Sequence, residues 1–393
     1  MSDQSFKDAY ALIKQIKKHG FQAYLVGGCV RDYLLNKNVN DIDITTSAFP
    51  EDIKTIFKKV IPVGIEHGTV IVRYNQVSYE VTTFRNLLDN GHIDDTTNLF
   101  ADLSKRDFTI NAIAMDEFGE TIDIFNGETD LANQIIKTVN SPYNRFMEDP
   151  LRIIRALRFV SQLNFDIEPA TLKMMSELKS ELKHVSVERI TAEIAKFFSG
   201  SYINKGLNYL KETEIYTELP IFKENHNFIE QLPEDIHPFK HFSEIISYYY
   251  LINETITVNH WINAWKLSNT TKNESLNLIK ALKDYEINGL NALLLYHLDV
   301  KLIHSFVKVV NMYYNDKLIA EDLLSQKQLL SINSRKELSI NGNDIIKLFP
   351  DLDKGKWINE IIEDVEKAVL YKQLKNDNQK IKEWIKCNRQ EIN

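Results

Sequence analysis

The segment VGGCVRDYLLNKNVNDIDITT, residues 26–46, carries two aspartates one residue apart, Asp41 and Asp43, set between isoleucines. On an extended strand, positions i and i+2 face the same side. The two carboxylates therefore point together, while Ile42 and Ile44 turn to the other face. Like charges held so close raise the cost of ionising either acid, and a divalent cation between them removes it. Magnesium (Mg2+) prefers hard oxygen ligands, typically one or two carboxylates with substrate phosphates. Two such ions about 3.5–4 Å apart can activate an attacking hydroxyl and neutralise a leaving pyrophosphate. The same spacing also suits a polar edge-strand pair that only accepts capping hydrogen bonds.

The neighbouring residues add anion chemistry. Gly27 and Gly28 precede a helical run, where bare N–H groups and the positive end of the helix dipole attract phosphate. Their small size lets a triphosphate approach the main chain, and Arg31, one turn further on, can reach the same anion. A carboxylate pair beside a phosphate cradle is the layout of a nucleotidyl-transfer site. Glu80, in SYEVTTFR, shares a strand face with Thr82 and Phe84. It is either a third acid near the metals or a surface glutamate on a half-exposed strand.

Downstream, EDPLR places Glu148, Asp149 and Arg152 at i, i+3 and i+4 spacings that share one face of a helix. An ordinary intrahelical ion pair has that spacing. So does a base-reading pair. A carboxylate only accepts hydrogen bonds and a guanidinium only donates them. Cytosine and adenine each offer an amino donor beside a ring-nitrogen acceptor, whereas uracil and guanine reverse the order. An Asp149/Arg152 pair thus suits C and A and leaves U or G with unpaired polar groups, at about 1–3 kcal/mol each.

These residues need elements to hold them. Helical spacing of Phe6, Tyr10, Ile13 and Ile16 predicts a helix over 6–19. Strands are expected at 21–26, 41–45, 69–74, 77–83, 108–115 and 121–124, with helices at 27–35 and 50–59, the latter started by Pro50. The strands of the first 125 residues are expected to be mostly antiparallel. From residue 144 onward the pattern turns helical, with prolines as breakpoints. The run 242–250 reads as core, and 372–390 as a final helix bearing Lys372, Lys375, Lys380, Lys382, Lys386 and Arg389.

The 393 residues exceed a single core. Hydrophobic content of 44% with 26% charge is that of a globular chain, and no apolar run spans a membrane. Two cysteines, Cys29 and Cys387, suit a reducing cytoplasm and exclude a disulfide framework or structural zinc; neither haem nor flavin is expected. A net charge of −8 argues against nucleic acid only in bulk, since local basic patches can still bind it.

GGCVRD with DID, then EVTTFR, KRDFTINAIAMD, DIFNGETDL, EDPLRIIRALRF and SVERITAE follow in order over residues 26–193. This ordered set resembles the class II tRNA nucleotidyltransferases, and among them the bacterial CCA-adding enzymes. The resemblance implies an α+β protein: a polymerase-β-like nucleotidyltransferase head (1–143), then an all-α neck that recognises the base (144–200), a body (201–298) and a tail that binds tRNA (299–393). It implies addition of C, C and A to tRNA from CTP and ATP, with Asp41 and Asp43 holding metal. It places Arg106, Asp107 and Asn111, in the stretch after Lys105, at the nucleotide, with Asp149 and Arg152 reading the base and Arg155 and Arg158 reaching phosphate or base. Lys105 departs from an arginine common in the family and cannot make its bidentate contact. Residues 86–99 become a catalytic loop or a plain connector, His67 is structural, and Asp123, Gly127 and Asp130 form a turn and helix cap. Ser186, Glu188 and Arg189 brace the neck. CC-adding, A-adding and poly(A)-polymerase activities share this chemistry, and an idle tRNA-binding protein is the non-enzymatic alternative.

Overall fold

A computed structural model of the chain describes residues 3–39, 41–63, 68–84, 95–233 and 235–388. It divides into two compact units, Met1–Ile229 and Glu230–Asn393. His67, Arg389 and residues 86–94 of the expected loop lie outside the described residues.

In the first unit, helix α1 (Asp3–Lys18) buries Leu12, Ile13 and Ile16, as its apolar spacing requires. There follow β1 (Ala23–Val26), α2 (Gly28–Leu34), β2 (Asp43–Thr46), α3 (Pro50–Ile56), β3 (Val60–Pro62), β4 (Thr69–Tyr74), β5 (Val77–Thr83), α4 (Asp95–Ser104), β6 (Ala114–Met115) and β7 (Thr121–Ile122). They build a seven-stranded sheet in the order β3-β4-β5-β2-β1-β6-β7. Its neighbours are antiparallel except β2 and β5, which run parallel and set Asp43 opposite Glu80. The β4–β5 hairpin turns on Asn75 and Gln76, both at positive φ (45° and 67°), the backbone a tight hairpin with right-handed twist demands. Ile42 and Ile44 are buried, while Asp41 and Asp43 occupy the opposite side.

Three expectations about this sheet need correction. The helix from Pro50 stops at Ile56, and β3 follows it. Residues 108–115 do not form one strand. Asp107 accepts hydrogen bonds from its neighbour Phe108 N–H (2.8 Å) and from Asn111 Nδ2 (3.0 Å), which folds Thr109–Asn111 into a 3-10 turn and leaves only β6 extended. Asp95 onward, placed in a loop by the sequence, is helical in α4.

The rest of the unit is helical: α5 (Gly127–Ala132), α6 (Pro142–Glu148), α7 (Leu151–Leu163), α8 (Pro169–Glu177), α9 (Val187–Phe198) and α10 (Ile203–Glu212). Two short parallel strands, Ile135–Ile136 and Asp166–Ile167, pair among them. Asp123 accepts from the N–H groups of Gly127 (2.8 Å) and Glu128 (2.9 Å), capping α5 as expected. Asp130 accepts from Thr109 Oγ1 at 2.6 Å. A Cβ at Gly127 would lie 2.3 Å from Thr109 O, so only glycine lets α5 seat against the 3-10 turn. Helix α7 packs against both α9 and α10.

The second unit is helical throughout its regular elements, from Phe242–Ile252 to Asn378–Asn388. Phe242, Ile245, Ile246, Tyr248 and Tyr249 are buried, so that aromatic run is core. The basic C-terminal stretch is not one helix. Trp357–Leu370 ends before Lys372, which takes φ 59°, and a new helix starts at Asn378. Among the described residues no helix is long and apolar enough to cross a membrane.

Candidate active site

A cavity of about 550 Å³ opens in the first unit. Gly27, Gly28, Arg31, Asp41, Asp43, Arg106, Asp107, Asn111, Asp149, Arg152, Arg155 and Arg158 all line it. The sequence-predicted residues therefore converge, with one exception: Glu80 is exposed and lies outside the lining. Volume and wall chemistry suit a small polyanion, since six arginines and five aspartates face the space.

At the sheet end, Asp43 is the first residue of β2, and Asp41 precedes the strand instead of opening it as expected. Burial, then the charge of Glu80 across the parallel pair, then that of Asp41 push the Asp43 carboxyl up to about 6 against the pull of Arg106. Such a site gains by taking a cation, and its donors are hard oxygens, which fits a magnesium-type ion. Among the described residues no group of three His, Cys, Asp or Glu side chains stands ready for a metal. The aspartate pair is thus the candidate holder, with Glu80 acting on it through charge.

Gly27 has φ 76° and ψ −138°, a backbone state other residues avoid. A Cβ there would come within 2.9 Å of Arg106 Nη1 and 3.8 Å of Asp43 Oδ2. The glycine is what lets the guanidinium lie against the main chain beside the acid. Cys29 packs below, its Sγ donating to Val26 O at 3.1 Å, and burial lifts its thiol to about 11, which keeps it inert.

A chain of polar contacts runs from the 3-10 turn into the helices. Arg31 Nη1 donates to Asn111 Oδ1 at 2.8 Å, and Asn111 in turn holds Asp107. Arg155 reaches from α7 to Asp107 Oδ2 through Nε (2.8 Å) and Nη2 (2.6 Å). Burial works to raise the Asp107 carboxyl, but the Arg155 charge, Asn111 and the Phe108 N–H outweigh it and hold the group at about 2. Glu193 on α9 then ion-pairs with Arg155 at 3.5 Å and with Arg158 at 3.0 Å. Burial lowers Arg158 to about 10 despite that partner.

The pair expected to read the base does not share one helix. Pro150 ends α6 after Glu148, Asp149 is extended (φ −149°), and α7 begins at Leu151. Arg152 still meets Glu148 Oε2 at 2.6 Å, and it donates to Arg145 O (3.1 Å) and Lys105 O (2.9 Å). Asp149 instead pairs with Arg189 at 2.8 Å. Both groups border the cavity, with the acceptor and the donor anchored separately.

Sequence reasoning passed over several participants. Glu193 and Phe159 carry no motif of their own, although both letters stand inside quoted segments. Phe159 lies four residues after Arg155, on the same helical face. Arg189 was assigned to bracing, yet it lines the cavity and holds Asp149. Asp102, reached by Arg106 Nη2 at 3.3 Å, belongs to α4, past the end of the expected loop and outside every motif.

A mixed sheet with a pair of acids at the start of its central strand, backed by an arginine-lined helical wall, defines a nucleotidyltransferase. The family of the Poly A polymerase head domain matches residues 23–137, that of the RNA and SrmB-binding site of polymerase A matches 164–225, and tRNA nucleotidyltransferase domain 2 matches 244–385. The CCA-adding enzyme of Oceanobacillus iheyensis is 42% identical over all of this chain and all of its own. That of Enterococcus faecalis is 38% identical over 98% of this chain and 96% of its own. The crystal structure of the Bacillus stearothermophilus CCA-adding enzyme in complex with CTP superposes with a TM-score of 0.87, at 33% identity over 99% of this chain and 98% of that one. The chain belongs to the CCA-adding enzymes, a family of tRNA nucleotidyltransferases.

Proposed function

We propose that this chain extends tRNA lacking its 3′ end by C, C and A, using CTP and ATP and releasing pyrophosphate at each step. The tRNA 3′-hydroxyl gives its proton to solvent and its oxygen bonds to the α-phosphorus, as the bond from that phosphorus to the oxygen bridging to the β-phosphate breaks and that oxygen leaves with pyrophosphate. Asp41 and Asp43 hold magnesium, which supplies charge neutralisation at the reacting phosphate. Gly27 opens the main chain to the triphosphate, and Arg31, Arg155 and Arg158 offset its charge. Arg106 and Asp107 lie where the sugar is held, with Asn111 fixing Arg31 and Asp107. Asp149 accepts from the amino group of C or A, and Arg152 donates to the adjacent ring nitrogen.

The observation that carries this reading is the single cavity in which the acid pair, the arginines and the Asp149/Arg152 pair meet. The head and neck borders at 143 and 200 are part of the proposal. So is a body–tail border at 298, although the compact-unit boundary after Ile229 falls inside the segment assigned to the body. A cytoplasmic location fits two unbridged cysteines.

The test is one gel. tRNA ending before its CCA is incubated with CTP, with ATP, and with both. Two additions with CTP alone and a third only when ATP joins are expected. Stopping at two with both present means CC addition, extension only of tRNA ending in CC means A addition, and a long ladder with ATP means poly(A) synthesis. No extension of any substrate would overturn the enzymatic reading.

A further inference from the structure

Phe159 is 3% exposed, yet it borders the nucleotide cavity. Three guanidinium carbons surround its ring: Arg158 at 4.3 Å from the centroid, Arg31 at 5.1 Å and Arg155 at 5.6 Å. The ring is itself fixed edge-on against Phe108, at 5.7 Å and 89°. Three cations gathered at one wall repel each other. Asp32, Asp107 and Glu193 hold their outer edges. Arg158 depends least on those acids for direction: its buried Nε lies 3.0 Å from Glu193 Oε2 but lacks the alignment of a hydrogen bond. The inner contact common to all three is the aromatic ring, whose quadrupole attracts cations most strongly when water is excluded.

We infer that Phe159 is a positioning residue for the nucleoside triphosphate, a ring hub that keeps Arg31, Arg155 and Arg158 gathered at the cavity wall. The inference rests on the proposed role of those arginines in holding the triphosphate. An aliphatic side chain of similar bulk fills the same space without attracting the guanidiniums. The polyanion then meets arginines that must be ordered as it binds, and it binds more weakly. Once the nucleotide is seated the arginines are already in place, so the defect falls on KM more than on kcat.

The experiment replaces Phe159 in the full-length chain with mono-, di- and trifluorophenylalanine, which drain the quadrupole step by step at nearly constant shape. KM and kcat for CTP and ATP are measured with the thermal midpoint of each variant. KM for both nucleotides is expected to climb through the series to about fivefold, with kcat within about twofold and the midpoint unchanged. Phe159→Leu is expected to match the trifluoro variant. A flat KM across the series, or a KM rise that only follows a falling midpoint, overturns the inference. Arg31→Met and Arg158→Met separate the layers. If they raise KM while the fluorinated series stays flat, only the role of Phe159 falls. If they leave KM untouched, the assignment of the arginines falls, and the inference with it.

Discussion

Replacing Asp43 by asparagine is expected to stabilise the metal-free protein while abolishing its chemistry. Asp43 is raised from 3.8 to about 6, first by burial and then by Glu80 and Asp41. The folded chain therefore holds this proton more tightly than the unfolded chain does. Stability linked to the group is complete below about pH 4, declines as pH rises through the folded value, and is lost by pH 7. A shift of roughly two units at about 1.4 kcal/mol each gives a penalty of about 3 kcal/mol at neutral pH. Asparagine cannot ionise and escapes it. In a unit of this size each kcal/mol moves the midpoint by about 2–4 °C, so Asp43→Asn should melt about 6–12 °C higher in chelator at pH 7. The assay is thermal unfolding of both proteins from pH 4.5 to 8, with chelator and again with magnesium. The advantage should shrink toward pH 4.5. Magnesium should raise the wild type more than the variant, since only the intact pair binds the ion well. A variant no more stable than wild type at pH 7 in chelator, or one whose advantage ignores pH, would refute the reasoning.

Gly27→Ala should cut nucleotide incorporation at least about tenfold and cost about 1–3 kcal/mol, because its backbone state is strained and its Cβ meets Arg106; steady-state kinetics and melting check both. Asp149→Ala or Arg152→Ala should narrow the preference for CTP over UTP by about 10–100-fold, whereas Asp41→Ala should stop incorporation of every nucleotide; assaying all four nucleotides distinguishes them. Arg155→Ala strands the buried Asp107 and should destabilise by about 2–3 kcal/mol at pH 7. Asp107 is held below its unfolded value, so wild-type stability from this pair is present above about pH 4 and lost as pH falls toward 2. Denaturation curves should show that acid-linked loss reduced in the variant.

How far the sequence could be read follows from how local each signal is. The alternation around Asp41 and Asp43, the Asn75-Gln76 turn and Pro50 are local, and each became the element it suggested. The arginine spacing on 152, 155 and 158 likewise gave one helix wall. The pairing of Asp43 with Glu80 depends on a parallel register between strands far apart in sequence, which alternation alone does not encode. The break at Pro150 had a visible signal, but ion-pair spacing across it imitates a continuous helix, and Arg152 indeed meets Glu148 across the junction. The 3-10 turn was hidden because apolar Phe108, Ile110 and Ala112 alternate like a strand while Asp107 bonds locally. Glu193 had no signal, since its partners lie on another helix.

The double contact from Arg155 to Asp107 has a mechanical meaning. Asp107 is stitched to its own turn, and Arg155 to α7, so the reacting end of the pocket and the start of the helical wall move as one body. Cytosine and adenine differ in size, and on the proposed assignment the larger ring is met away from this doubly bonded joint. Accommodation must come from the looser rim, where Arg189 is about half exposed and tethers Asp149 by one contact. On the proposed assignment of Asp149 and Arg152, a change of base is absorbed at that rim while the acid pair stays where it is.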